Sequence, residues 1–352
     1  MSGSIGRCSP YLSIIIYFRN DNYSPNAIEK LNFSTQMLIN QLHKSKIESE
    51  IIIVDWNSPD PNEPLIDELK ITNNSKYVSI TAYEVHNNIH SRYKGHENMG
   101  IQGEVASNVG IRRSRGKFVV VKASDVFYSA DLIRFLAEKS LREDGVYRLD
   151  RIDVDYELPA PKEWEAAFKN NIIIRKSSEK NKIHVRSCGD FLLMSKKKWA
   201  LIRGFPETNC VVNNGADGEA LYASIGAGAK QIYLKGGICL YKLSHAAMFS
   251  SRIETRHLPR KDLLTNMLLG TGERNKAQTC LLIVIKVIFG ILNLPTTKIL
   301  NVKTRSVYRY YLIANLRRLF FGGGFLKSNE WGLSKLEIEK KIISLGDWDQ
   351  RK

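Results

Sequence analysis

The stretch LSIIIYF, residues 12 to 18, is short, β-branched and almost wholly apolar. A run with no polar face is the pattern of a strand covered on both sides, as in a parallel sheet. Working outward, EIIIVDW (50 to 56), YVSITAYEV (77 to 85) and KFVVVKA (117 to 123) repeat the strand signal. Between them, PNAIEKLNFSTQMLINQLHK (25 to 44) opens with Pro and spaces Ile28, Leu31, Met37, Leu38 and Leu42 at helical intervals, which predicts a helix. VASNVGIRRSRG (105 to 116) predicts another, stopped by Gly116. Alternating strands and helices imply βαβ units, so the fold class is α/β, with a Rossmann-like, mostly parallel sheet flanked by helices.

Ligands of such sheets bind at the carboxyl ends of the strands. Arg19, Asp55 and Asp125 each follow a predicted strand end, so all three are expected in one crevice. VKASDVFYS (121 to 129) carries Asp125 alone, with no other acid before Asp131. The first strand is followed by no G-x-G-x-x-G, and the chain holds no G-x-x-x-x-G-K-[ST], so the dinucleotide and P-loop readings lose their main support.

With 352 residues, 43% of them hydrophobic, the chain can bury a substantial core. The first dozen residues contain no apolar run of signal-peptide length, which sets the expected location as cytoplasmic. Five scattered cysteines without C-x-x-C spacing argue against a disulfide framework or structural zinc. Net charge is +16, and residues 251 to 352 carry +11 of it, with 19 Lys and Arg against 8 Asp and Glu. Such a basic face either attracts anionic partners or is simply solvated. Nucleic acid is not expected as the partner, since no binding motif is present and the strand-end acids would repel a phosphate backbone.

CGDFLLMSKKKWALIRGFPE (188 to 207) predicts a strand, a basic turn and a helix ended by Gly204. DGEALYASIGAGAK (217 to 230) predicts a helix, and QIYLKGGICLYKLSH (231 to 245) two short strands ending at His245. The domains expected are therefore 1–250, an α/β unit, and 251–352, a basic helical region. TCLLIVIKVIFGILNL (279 to 294) is apolar but shorter than the ~20 residues of a bilayer span, so it reads as a buried or an interfacial helix. Aromatic and cationic residues mix over 286 to 327, suiting either a peripheral membrane contact or a helical cap on the first domain.

Five segments, in order, resemble the glycosyltransferase family 2 group of GT-A fold enzymes: LSIIIYFRND, EIIIVDWNSPD, ASNVGIRRSRGKFVVVKASDVFYSADLI, GDFLLMSKKKWALIRGFPE and ADGEALYASIGAG. The resemblance covers about residues 11 to 250. It implies transfer of a sugar, hexosyl in type and inverting at the anomeric carbon, from a nucleotide-sugar donor (a UDP-sugar first) to a hydroxyl of a glycan or lipid-linked acceptor. Polysaccharide biosynthesis and an anionic membrane surface as docking partner go with that reading. Tyr17 and Arg19 would lie beside the donor, Asp55 would accept hydrogen bonds from its base or ribose, and Asn108 and Arg112 would face it from their helix. Asp125 and His245 would hold a divalent cation, Mn²⁺ or Mg²⁺, on the donor phosphates. Asp217 would be the general base, although it also suits the N-cap of a helix starting near Gly218.

Two motifs depart from the family pattern. Lys122, Ala123 and Ser124 stand where the Asp-x-Asp motif would begin, and Lys122 could meet a donor phosphate directly. Ala216 replaces the acid of the usual Glu-Asp pair. A catalytically silent interaction module on the same fold is the alternative these departures raise.

Overall fold

A computed structural model describes residues 9–243, less 22–23, 60–64, 94, 98, 157, 159–162, 178–182, 206 and 208–215, together with 330–350. The elements follow in order: β1 (Leu12–Phe18), α1 (Ala27–Lys44), β2 (Ser49–Trp56), α2 (Leu65–Glu68), β3 (Val78–Val85), α3 (Asn87–His90), α4 (Gly103–Arg113) and β4 (Phe118–Lys122). The chain continues through β5 (Val126–Tyr128), α5 (Ala130–Ala137), β6 (Gly145–Arg148), β7 (Asp150–Val154), α6 (Trp164–Asn170) and β8 (Ile172–Lys176). Then come β9 (Phe191–Ser195), α7 (Lys196–Ile202), α8 (Ala216–Gly226), β10 (Lys230–Tyr233), β11 (Cys239–Leu243), β12 (Glu339–Ser344) and α9 (Asp347–Gln350).

Eight strands form one sheet in the order β10-β6-β9-β4-β1-β2-β3-β12, mostly parallel, with β9 and β12 running against the rest. The unbroken apolar character of the central strands has a direct physical use. Ile14, Ile16, Ile51, Ile53 and Val120 point to one face, where α1 and α5 pack Leu31, Leu38, Leu132 and Leu136 against them. Ile15, Ile52, Val54, Val119 and Val121 point to the other, under α4, α7 and α8 with Val105, Val109, Trp199 and Leu221. Successive strand residues alternate faces, so only a continuous run can feed both layers.

The expected helix over 105 to 116 runs instead from Gly103 to Arg113, and Gly116 does not stop it. The backbone turns extended at Ser114. The half-buried Lys196 ammonium then caps the helix end, donating to the carbonyls of Ile111, Arg112 (3.0 Å) and Ser114 (2.9 Å). A cation is favoured at the carboxyl end of a helix, where the last carbonyls lack intrahelical partners. Gly116 serves close packing: a Cβ there would lie 2.3 Å from Ser13 Oγ. The residues 196 to 198 that read as a basic turn form the first turn of α7, whose start is set by Ser195 Oγ accepting from the Lys198 N–H at 3.2 Å.

Two features were not anticipated from the sequence. A second, four-stranded sheet, β5-β11-β7-β8, sits on its own apolar cluster of Phe127, Ile152, Trp164, Phe168 and Tyr241. The other feature is at the far end of the chain, within the region expected to be separate and helical, where β12 adds antiparallel to β3 and closes that edge. The fully buried Trp348 of α9 donates its indole N–H to the Tyr77 carbonyl at 3.0 Å. Arg115 stacks over the Trp348 ring and pairs with both Asp349 and the buried Glu50. The boundary expected near residue 250 therefore does not separate residues 330–350 from the sheet, while 251–329 lie outside the described residues.

Trp348→Ala removes a buried indole and its hydrogen bond, and should lower unfolding stability by about 3 kcal/mol in urea titration. An unchanged midpoint would mean that the chain's return to β3 adds nothing to the sheet.

Candidate functional site

The carboxyl end of β4 is where the two sheets meet. β4 stops at Lys122, and the chain passes through Ala123, Ser124 and Asp125 into β5 of the second sheet. β9 runs antiparallel to β4 with Phe191 opposite Lys122, which brings Asp190 to the same end. β11 lies against β5 with Lys242 opposite Val126, and against β7 with Lys242 opposite Asp153. These registers assemble a ladder of alternating charge. Lys242 Nζ is 3.6 Å from Asp125 Oδ1 and 2.8 Å from Asp190 Oδ1. Arg151 pairs with Asp190 and, at 2.6 Å, with Asp153, whose second oxygen meets Lys176 Nζ at 2.8 Å. Burial works against the Lys242 ammonium, but Asp125 and Asp190 outweigh it and hold it above the usual lysine range.

An acidic group borders the ladder. Asp217, in the first turn of α8, accepts from the N–H groups of Gly189 and Gly218, both at 2.8 Å. The Gly189 bond ties it to the residue before Asp190. Burial pushes the Glu104 carboxyl in the first turn of α4 up to about 7, with Asp217 and Glu219 adding to the effect. Tyr17, near the end of β1, feels both sides: burial and then Glu104 raise its phenol, Lys242 lowers it, and Asp190 and Asp217 raise it further. Carboxylates that could take a proton thus lie near cations suited to an anionic group, at the carboxyl ends of β1 and β4.

The other expected site residues divide. Asp55 ends β2 as predicted, 5% exposed, accepting from Ser58 Oγ and bordering a small cavity with Leu65, Glu84 and Lys341. Its carboxyl is pushed up to about 6 by burial, against the Ser58 hydrogen bond. Arg19 is held by the Asn57 carbonyl (2.7 Å) and by Asp21, and lies flat on Gly100, where a Cβ would fall 1.6 Å from Arg19 Nη1.

Asn108 does not face the crevice as the resemblance implied. It is fully buried and clamps the turn after α7, donating to the Phe205 carbonyl (2.9 Å) and Glu207 Oε1 (2.8 Å) and accepting from the Phe205 N–H (2.7 Å). Gly204, at φ +68°, is required because a Cβ would lie 2.1 Å from Asn108 Oδ1. Arg112, one turn on along the same helix face, stacks over Trp331 at 5.0 Å. Lys122 is also turned away. It is fully buried and donates toward α1, to Ser34 Oγ (3.3 Å) and the Ala123 carbonyl (3.0 Å), with burial pulling it down to about 7 against the attraction of Asp125.

The divalent cation expected at Asp125 does not fit the residues present. An ammonium already lies against that carboxylate, and both oxygens of the neighbouring Asp190 are taken by Lys242 and Arg151. His245 lies outside the described residues. Among the described residues, the group with metal-ligand spacing is Glu84, His86 and Glu339, a partly exposed set where β3 meets β12, three strands from β4.

Glu104, Asp190, Lys242 and Arg151 were not picked out from the sequence. Lys242 left a signal, since it is the single cation inside an otherwise buried strand, CLYKL. Arg151 and Asp153 alternate in DRIDV, the mark of a strand with one charged face. Asp190 precedes a buried strand but runs antiparallel, so its place at the carboxyl end of β4 follows only from the pairing.

No family model matches the chain, and no curated protein does. Among solved structures the chain is similar to residues 1–349 of S. aureus TarS, at 12% identity over 90% of this chain and 82% of that one, TM-score 0.44. The same TarS region in complex with UDP-GlcNAc gives 13% identity, coverage of 86% and 79%, and TM-score 0.47. The catalytic domain of Drosophila β1,4-galactosyltransferase 7 in complex with xylobiose gives 12%, 70% and 75%, and 0.40.

Because the folded Asp55 holds its proton up to about pH 6, its contribution to stability is present below about pH 4 and is lost as pH rises through 6. From pH 4 to 7, urea unfolding should therefore shift in favour of Asp55→Asn over wild type by roughly 3 kcal/mol. A pH-independent difference would contradict the burial of this charge.

Proposed function

We propose that the chain is a GT-A type glycosyltransferase that moves a sugar from a nucleoside-diphosphate donor, a UDP-sugar first, to a hydroxyl of a glycan or lipid-linked acceptor. One observation carries this reading: at the carboxyl end of β1, Tyr17 lies within electrostatic reach of the Asp217 and Glu104 carboxylates and of the Lys242 ammonium. Displacement at an anomeric carbon needs that division, a base for the incoming hydroxyl and positive charge for the departing diphosphate. The five sequence segments quoted above run through the elements that build this crevice, which supports the same assignment.

In the proposed step the acceptor oxygen attacks the anomeric carbon, and its proton passes to Asp217. The bond from that carbon to the donor phosphate breaks, and its electron pair leaves on the diphosphate. Attack from the face opposite the leaving group inverts the configuration. The two backbone N–H bonds hold the Asp217 carboxylate in one orientation, which is the positioning general-base catalysis requires. Asp55 receives the base or ribose at the end of β2, while Tyr17 and Arg19 line the approach. Asn108 and Arg112 act on the site only by holding the chain at Phe205, Glu207 and Trp331.

Glu104 supports a second assignment of the base, because a carboxyl with a proton affinity near neutrality is matched to proton transfer at physiological pH. Sugar transfer by Asp217→Asn should fall ~10²- to 10⁴-fold with donor affinity kept, and by Glu104→Gln much less, in a radiolabelled-donor assay. The reverse ranking would move the base to Glu104.

Residues 279–327, outside the described residues, combine apolar, aromatic and cationic side chains, and we assign them contact with an anionic membrane surface near the acceptor. Among the described residues no helix is long and apolar enough to cross a membrane. The full chain should sediment with phosphatidylserine-containing vesicles and lose this when 279–327 are deleted; sedimentation unaffected by the deletion would end the assignment.

A further inference from the structure

We propose that Lys242, held between Asp125 and Asp190, replaces the divalent cation of a metal-dependent transfer, so that this chain binds the donor diphosphate without metal. The inference rests on the glycosyltransferase reading and names how that site takes its substrate.

Both acids a cation would need already stand beside the protein's own ammonium. Asp125 and Asp190 are 2% and 6% exposed, and both face the Lys242 ammonium. The second oxygen of Asp190 belongs to Arg151. A divalent cation with Asp125 as ligand sits about 2.1 Å from the carboxylate oxygen, and would share that carboxylate with an ammonium that repels it. The ladder is balanced as it stands: Asp125, Asp190 and Asp153 against Lys242, Arg151 and Lys176. Two further positive charges would unbalance it, whereas an incoming diphosphate brings negative charge to a place where cations are already fixed.

Lys242 also has the means to bind phosphate. Its side chain keeps 19% exposure, and its charge is felt by the Tyr17 phenol. An ammonium carries three donors; Asp190 accepts from one at 2.8 Å, and Asp125 stands 3.6 Å away as an ion pair. A remaining donor can reach a phosphate oxygen while the carboxylates keep the head in position, a preorganised charge of the kind that stabilises a leaving group. Only protein groups are then required to carry the charge that develops on the departing diphosphate.

Calorimetry on the full chain tests this with UDP, GDP, ADP, CDP and dTDP, each in EDTA and in millimolar Mn²⁺. For the diphosphate that binds, Kd should agree within about twofold between the two conditions. Lys242→Met should weaken it about tenfold or more, leaving the parent nucleoside's affinity unchanged, and Lys242→Arg should retain most of it. Diphosphate affinity that rises tenfold or more with Mn²⁺, or that survives Lys242→Met, overturns the proposal and leaves the glycosyltransferase reading standing. Absence of binding by every diphosphate in both conditions overturns both. Removing a cation from between two buried acids is destabilising, so Lys242→Met is paired with Lys242→Met/Asp125→Asn, which lowers the uncompensated charge. If neither variant folds, the wild-type comparison between EDTA and Mn²⁺ decides.

Discussion

The ion-pair ladder from Asp125 through Lys242, Asp190, Arg151 and Asp153 is the interaction on which the site depends. Its members come from the β4–β5 turn, β11, the start of β9 and β7, so it joins the large sheet to the small one at the carboxyl ends of β1 and β4. Buried charges of this kind bring little net stability compared with apolar packing, but breaking any one rung leaves an uncompensated charge in a low-dielectric setting. The arrangement is therefore held to one geometry. That geometry leaves a lysine head at the crevice with its position set from two sides.

The apolar layers make the ladder affordable. Both faces of β1, β2 and β4 are covered, so the strand ends are fixed in register and the charged side chains that follow them cannot spread apart. The Lys196 cap on α4 and the Asn108 clamp on Phe205 and Glu207 perform the same service on the second face. Each uses a polar side chain to finish a helix or turn, the Lys196 cap at the amino end of β4. At the far edge, β12 and Trp348 close β3, so a segment distant in sequence completes the sheet on which Asp55 stands.

The large sheet was legible because its signal is local. LSIIIYF, EIIIVDW and KFVVVKA carry no polar face, and a strand of that composition has few alternatives to the middle of a covered sheet. Asp55 and Asp125 could be placed at strand ends for the same reason. The small sheet was harder to see because DRIDV and CLYKL mix charge with apolar residues, and their charges are tolerated only through partners on other strands. Gly116 misled because a glycine after a helical pattern usually marks its end; here the stop comes from Lys196, 80 or more residues away in sequence. Asn108, Arg112 and Lys122 occupy the expected elements, but Asn108 and Lys122 turn into the protein and Arg112 lies over Trp331.

The local pattern of apolar runs and helical spacing was sufficient to set the α/β class, the position along the chain of the first four strands and the placing of acids at their ends, because those properties depend on periods of two to four residues. Which of the charged residues share a crevice was decided by pairing between strands tens of residues apart: β9 against β4 carries Asp190 in, and β11 beside β5 and β7 carries Lys242 in. The physical reason is that a charge's role follows from its nearest opposite charge. For Asp125 that neighbour is Lys242, 117 residues later in the chain and 3.6 Å away in the fold.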